Sequence, residues 1–494
     1  MMPGMARQKK SLKLNFIMNA ILTMSSFIFP LITFPYVSRV LLPEGTGKVS
    51  FATSLISYFS MFAQLGISTY GIRACAKVRD SREELTRTAH ELLFINLVMC
   101  LVSYVALAVA LLTVPRLRDE RTLYVVVSFT IILTAIGMEW LYKALEQYTY
   151  ITIRSIIFKL VSLVAMFLLI HTKDDYVIYG GITIFASSAS NILNFINVHK
   201  YIDMRPVGKY DMKRHFRPVA IFFAMSCATT IYTHLDTVML GFMAADEDVG
   251  YYNAAVRIKT ILVSVVTSLG TVLLPRASYY IECGKMDEFK RITKKALNFV
   301  FLIAAPMMLY FMFFAREGIY FLSGKAYEGA VVPMQIIMLT LLLIGITNIL
   351  GIQILVPLGR EKTVLYSEIV GAIIDIIINA LLIPRYTSVG ATIGTLTAEF
   401  AVFVFQYMAL KDEIAGSFKA IHYEKIIIGL ILGSCASLWI KFLSWGSFLK
   451  LLLSAVLFFG VYGTFLLITK EELAVEIFDQ VFGKILKKVG KTNV

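Results

Sequence analysis

Residues 138–160 read MEWLYKALEQYTYITIRSIIFKL. This stretch ends one apolar run and begins another, and it sets Glu139, Arg154 and Lys159 at or inside membrane depth. A charge at the centre of a bilayer helix costs about 2.5–3.5 kcal/mol even on lenient insertion scales. A chain keeps such residues where they face a polar interior. At roughly 1.5 Å and 100° per residue, Arg154 and Lys159 lie about 7.5 Å apart along one helix and about 140° apart around it. That spacing suits one wide cavity rather than a narrow stripe.

The surrounding composition agrees with a membrane setting. The chain is 58% hydrophobic and only 16% charged, where an ordinary soluble domain carries roughly 25% charged residues. Runs of about 20 apolar residues recur along its whole length, the signature of transmembrane helices. The five cysteines, Cys75, Cys100, Cys227, Cys283 and Cys435, show no CxxC or Cys/His ligand spacing, so neither a disulfide framework nor a zinc site is indicated. The net charge of +14 reads as basic cytoplasmic loops, not as a nucleic-acid surface. The basic start, Arg7 to Lys13, precedes an apolar run too long for a signal peptide and without a small-residue cleavage site, so it is expected to remain as the first span.

The hydropathy pattern predicts an all-α polytopic membrane protein with fourteen spans near 14–40, 49–70, 89–113, 122–142, 150–170, 176–198, 217–241, 249–275, 296–315, 331–358, 363–384, 388–410, 424–441 and 448–469. Pro30 and Pro35 interrupt the first, and Pro306, Pro333 and Pro357 mark kinks in later ones. With the N-terminus inside, most of the 47 lysines and arginines fall in inner segments. The richest are 73–87, 200–217 and 276–295, while the outer loop Asp246-Glu247-Asp248 is purely acidic. The positive-inside rule then places both termini in the cytoplasm. The tail 471–494, with Ile477, Phe478, Val481, Phe482 and Ile485 beside Lys484, Lys487 and Lys488, is expected to lie as an amphipathic segment on the inner face.

A weak internal repeat organises the spans. Aligning Gly47 with Gly250 sets GKVSFATSLIS over GYYNAAVRIKT, and ITIRSIIFKLVSLVAMFLLI then falls over LYSEIVGAIIDIIINALLIP. Six spans restore the starting side, so the halves read as parallel repeats about an axis along the membrane normal, a plan that puts a transporter's site between them. The expected domains are two six-helix lobes, 1–212 and 213–411, two appended helices in 412–470, and the tail 471–494.

Charged residues in or at the edges of spans are the candidate site. The basic set is Arg154, Lys159, Arg257, Arg39 and Lys259; the acidic set is Glu139, Asp375, Glu399, Asp236 and Glu368, with His234 close to Asp236. Basic groups at several depths can receive an anion at one face and release it at the other, guanidinium in bidentate fashion and ammonium as a point charge. Buried carboxylates and a histidine can carry a coupling proton or Na⁺. Each also has a plainer reading: Arg39 and Lys450 can snorkel from span ends, and Asp375 or Glu399 can belong to a structural ion pair. No G-x-x-x-x-G-K-[ST], H-E-x-x-H or G-x-S-x-G occurs, so an enzyme and direct nucleotide use are not expected.

Five stretches carry a resemblance: SRVLLPEGTGKVSFA, MEWLYKALEQYTYITIRSIIFK, DTVMLGFMAADEDVGYYNAAVRI, LLPRASYY and NALLIPRYTSVGATIGTLTAE. In this order they resemble the Wzx-type polysaccharide flippases, the oligosaccharide-exporter branch related to MATE transporters. The resemblance covers roughly residues 10–410. Leu42 and Thr46 depart from the Gly and aromatic residue of that family's L-G-P-E-G-Y-G turn. The resemblance implies a MATE-like bundle in a bacterial cytoplasmic membrane. It implies export of undecaprenyl-pyrophosphate-linked oligosaccharide repeat units from inner to outer leaflet by alternating access, coupled to an ion gradient and without a cofactor. A polysaccharide polymerase and a chain-length regulator are the partners it implies. On these expectations Arg154, Lys159, Arg257 and Arg39 take the pyrophosphate, while Glu139, Asp375, Glu399 and Asp236 serve coupling or gating. A lipid II flippase and a MATE-like multidrug antiporter are the alternatives. The latter would want a cavity dominated by carboxylates or aromatics.

Overall fold

The computed structural model describes residues 12–419 and 421–481. The side chains of Ile477 and Val481, and the residues Phe482, Lys484, Ile485, Lys487 and Lys488 on which the amphipathic-tail expectation rests, lie outside the described residues. Within the described residues the chain is helical and without strands. Ten helices there are long and apolar enough to cross a membrane; a pair bent by 44°, Lys325–Ile337 and Thr340–Leu355, makes an eleventh, and Arg121–Gly137 is shorter. Residues such as Leu101, Leu112, Val161 and Leu168 stand outward and exposed, which in an α-bundle of this hydropathy is a lipid-facing belt.

Fourteen apolar runs map onto fewer continuous helices because two helices are doubled. Helix α1 (Leu12–Gln64) has 53 residues, about 80 Å at 1.5 Å per residue, far beyond a hydrocarbon core of roughly 30 Å. Leu42, at φ 61° and ψ 177°, breaks it just before Pro43. Helix α16 (Glu361–Ala409) breaks at Thr387, φ 46° and ψ −123°. Its two arms form a hairpin: the Ser367 hydroxyl meets Gln406, Gly371 faces Val402, and Gly394 faces Asn379, all symmetric about the break. The number of crossings depends on how the doubled helices, the bent pair and the short helix are counted.

Two compact units divide the chain at Gly250. The first holds α1, α2 (Ile67–Val78), α3 (Arg82–Thr113), α4 (Pro115–Arg118), α5 (Arg121–Gly137), α6 (Glu139–Ala144), α7 (Tyr148–Leu169), α8 (Tyr176–Ile184), α9 (Asn191–Asn197) and α10 (Lys213–Met243). The sequence repeat places α10 in the second lobe, while its packing lies with α1 and α2. Ile67, Leu92, Trp140 and Leu141 centre a buried cluster, and Gly71 lets the Trp140 ring lie against the α2 backbone. Interhelical hydrogen bonds then fix the register: Asn96 donates to the Ala63 carbonyl at 2.7 Å, Thr152 to Met18 at 2.9 Å, and Tyr142 to Asn194 at 2.6 Å. Between lipid-facing helices such bonds, with small residues, supply much of the specificity that hydrophobic contrast cannot.

The second unit begins as α11 (Asp246–Glu282) enters it and continues through α12 (Met286–Phe313), α13 (Ala315–Ser323), α14 (Val331–Ile337), α15 (Thr340–Asn348), α16, α17 (Lys411–Lys419), α18 (Tyr423–Leu438), α19 (Ser447–Ile468) and α20 (Glu472–Val481). Helices α18 and α19, which lie beyond the sequence repeat, pair with each other and are stitched to α12. Tyr310 donates to the Leu451 carbonyl at 2.8 Å, and Tyr462 donates to Leu302 at 3.1 Å.

Candidate functional site: charges and a polar cavity at membrane depth

In the first unit the opening stretch folds as α6, a break at Glu146 (φ 57°), and α7. The break turns α7 back so that Arg154 comes to Glu139. Arg154 is 4% exposed; its guanidinium donates to the Ser190 carbonyl at 2.9 Å and to Glu139 Oε2 at 3.3 Å, and it lies over the Tyr150 ring. The Arg154 Nε has no partner. Glu139 Oε1 meets Lys143 at 2.8 Å. Lys143 was not singled out from sequence, although its i,i+4 spacing to Glu139 was the available signal.

Lys159 faces elsewhere. Its ammonium donates to the Ser25 and Ser26 hydroxyls of α1 at 2.8 and 3.0 Å, neutral groups that leave its charge uncompensated by direct contact. Arg154 and Lys143 thus share one carboxylate, Glu139, while Lys159 adds a further positive charge on the same stretch with no acidic group among the described residues in direct contact. The roughly 140° expected between Arg154 and Lys159 is realised as two separate partner sets, not one clasp. Arg39 is exposed and donates back to the Pro35 carbonyl within its own helix.

The other candidates separate by unit. His234 and Asp236 lie on α10; the His234 Nδ1 meets Ser54 of α1 at 3.3 Å, and Asp236 is buried. Arg257 and Lys259 lie half-buried on α11 in the second unit. Asp375 and Glu399 are buried on opposite arms of α16, with Glu368 half-buried on the first arm. Asn379 donates to Asp375 Oδ1 at 3.2 Å, and Tyr252 of α11 meets Thr395, one turn before Glu399, at 3.2 Å. A Cβ at Gly394 would lie 3.0 Å from Asp375 Oδ1, so glycine there allows the two arms to close over the carboxylate.

Two features were not anticipated. A cavity of about 220 Å³ opens between α1 and α10, lined by Ser57, Ser60, Gln64, Ser226, Thr230 and His234 among others. Near the start of α10, Glu91 of α3 is fully buried and accepts from Arg214 Nε and Nη2 at 2.9 and 2.6 Å and from the Asp211 amide at 2.6 Å, with His215 Nε2 at 2.8 Å. Five donors around one carboxylate, Arg87 at 3.3 Å being the fifth, tie the segment before α10 to α3.

Apolar helices of membrane length, buried charges and a polar cavity define a multi-pass membrane protein of the transporter type. The chain belongs to the polysaccharide biosynthesis protein family, whose model matches residues 12–280; a second model, MatE, matches residues 221–381. It is 25% identical over 410 residues to a protein of Escherichia coli (strain K12) called "Putative O-antigen transporter", covering 83% of this chain and 99% of that one. Its fold matches lipid II flippase MurJ in an inward closed conformation, with a TM-score of 0.71, 17% identity, and coverage of 92% of this chain and 99% of MurJ. It also matches an inward-facing multidrug resistance MATE family transporter of the MOP superfamily, with a TM-score of 0.59, 14% identity, and coverage of 81% and 98%.

Proposed function

We propose that this protein is a flippase that moves a lipid-linked oligosaccharide, carried on a polyprenyl pyrophosphate such as undecaprenyl pyrophosphate, across a bacterial cytoplasmic membrane for cell-surface polysaccharide synthesis. The observation that carries this reading is the excess of positive charge on one stretch: Arg154 and Lys143 share the single carboxylate of Glu139, and the Lys159 ammonium contacts two neutral serine hydroxyls. A pyrophosphate and several sugars cannot enter hydrocarbon without losing the water on their polar groups, a cost of several kcal/mol per group. A cationic, hydrated interior removes that cost while the lipid tail stays in the bilayer. The relationship to the "Putative O-antigen transporter" of Escherichia coli (strain K12), over almost its whole length, supports the cargo class.

Within this reading Lys159 is the primary anion contact and Arg154 is held ready by Glu139 and Ser190, to be released or shared as the cargo arrives. Arg257, Lys259 and Arg39 serve as further basic steps along the path. The α16 carboxylates Asp375 and Glu399, with Asp236, are assigned to coupling with a proton or Na⁺ gradient. Both termini lie on the cytoplasmic side by the charge bias of the loops, and a polymerase and a chain-length regulator act on the exported product.

Three assays separate the readings. Restoration of surface polysaccharide in cells lacking the corresponding exporter supports the proposal. Rescue of cells depleted of their lipid II flippase would transfer the cargo to peptidoglycan precursor. Efflux of cationic dyes without polysaccharide export would instead make the protein a drug antiporter.

A further inference from the structure

The cavity between α1 and α10 shares no lining residue with the basic cluster, and its chemistry is different. Ser57, Ser60, Met61 and Gln64 follow one another at i, i+3, i+4 and i+7 on α1, and Ser226, Thr230 and His234 at i, i+4 and i+8 on α10. Each set occupies one helix face, so two neutral polar faces look at each other inside a span. Among the described residues, no lysine, arginine, aspartate or glutamate lines the space. A bound anion would call for cations and a bound metal ion for carboxylates, and about 220 Å³ is far more than a dehydrated ion fills.

The lining is also unsatisfied in a specific way. Gln64 is 8% exposed, and neither its Oε1 nor its Nε2 has a partner. Buried amides are almost always hydrogen-bonded, and this one offers a donor and an acceptor side by side. The Ser57 hydroxyl spends its proton on the Thr53 carbonyl at 2.8 Å and keeps its lone pairs for the cavity. His234 has Nδ1 tied to Ser54, which leaves Nε2 for a second partner. The floor is closely packed: Gly66 adopts φ +71°, and a Cβ there would lie 2.6 Å from the Phe223 nitrogen, so α10 can approach only because this residue is glycine.

We infer that this cavity is a subsite for one uncharged sugar ring of the cargo, whose vicinal hydroxyls pair with the Gln64 amide while Ser57, Thr230 and His234 take the remaining ones. The inference rests on the flippase reading and refines it: the basic cluster recognises the carrier, and this cavity recognises the glycan. Every hydroxyl of a sugar both donates and accepts, which matches a wall of hydroxyls, one amide and one imidazole. A site built to hydrogen-bond such groups discriminates strongly against a ligand that lacks them, because its own polar atoms then stay unpaired.

The test uses the full chain in lipid nanodiscs with two fluorescent probes, a short-chain polyprenyl diphosphate bearing one hexose and the same carrier without the sugar. Wild type is expected to bind the sugar-bearing probe roughly tenfold more tightly. Gln64→Leu should erase that ratio and leave affinity for the bare carrier unchanged. Thr230→Val, nearly isosteric and on the opposite wall, should reduce the ratio and guards against a folding defect in the first variant. Equal binding of the two probes by wild type, or an unchanged ratio in both variants, overturns the subsite while leaving the flippase reading intact. Failure of wild type to bind either probe overturns both.

Discussion

Gly47 and Gly250, which align when the two halves of the sequence are superposed, meet in the structure. A Cβ on Gly47 would collide with the Asp246 carbonyl and lie 3.0 Å from the Gly250 nitrogen, and a Cβ on Gly250 would collide with the Pro43 carbonyl. Pro43 and Asp246 stand four residues before their respective glycines, so the contact is reciprocal. Repeat-related helix starts thus cross backbone to backbone, the small-residue packing that membrane helices use for close approach.

Substituting either glycine by valine should break this crossing. The obstacles are backbone atoms, which cannot swing aside, so overpacking should cost about 1–3 kcal/mol. A lowered unfolding temperature in detergent and a matching loss of polysaccharide export check this; wild-type behaviour of Gly250→Val would refute it.

Leu42→Gly should have the opposite sign. Leu42 sits at φ 61° and ψ 177°, a region essentially reserved for glycine, where another residue stores roughly 1–3 kcal/mol of strain. Glycine at this position should raise the unfolding temperature, and a fall would show that the Leu42 side chain, 39% exposed, contributes more than its strain costs.

The ion pairs divide by burial. Glu91→Ala removes a fully buried carboxylate that accepts from Arg87, Arg214, the Asp211 amide and His215 and should destabilise by about 1–3 kcal/mol, because the buried donors left behind are unpaired. Arg82→Ala breaks a half-exposed pair with Asp203, worth about 0–1 kcal/mol. Thermal unfolding of the two variants side by side tests the ordering; equal losses would contradict it.

Arg154 and Lys159 should fail differently. Arg154→Met strands the Ser190 carbonyl and Glu139, a loss of about 1–3 kcal/mol in stability. Lys159→Met leaves only two serine hydroxyls behind, so the protein should unfold at nearly the wild-type temperature while transport falls. The reverse pattern would reassign the two residues.

The fold was largely legible in the sequence because apolar runs are local signals, although α1 stays helical through Pro30 and Pro35, which were expected to interrupt it, and breaks at Leu42 instead. The break between the runs 363–384 and 388–410 falls at Thr387, where α16 turns. The repeat aligned Gly47 with Gly250, but that the two meet was not legible, because equivalence in a repeat does not imply contact. Partner choice was not legible. Arg154 reaches Glu139 only because the chain breaks at Glu146, a left-handed residue that periodicity does not reveal. The cavity was hidden for another reason: serines and threonines in a span commonly bond to their own helix, as Ser57 does to Thr53, so their spacing alone marks no site. The buried Glu91 was passed over because the nearby arginines read as an inner loop, although one carboxylate gathers two of them and a histidine.

The most direct measurement is transport in proteoliposomes. A short-chain polyprenyl pyrophosphate oligosaccharide is placed in one leaflet, and its appearance in the other is followed for wild type and for Lys159→Glu, with folding of both verified. The account predicts protein-dependent flipping by wild type and at least a tenfold lower initial rate in the variant, the effect of placing a carboxylate where the cargo's anion must pass. No flipping by wild type under either a proton or a Na⁺ gradient would contradict the function. Equal rates in the two proteins would keep the function and contradict the anion site.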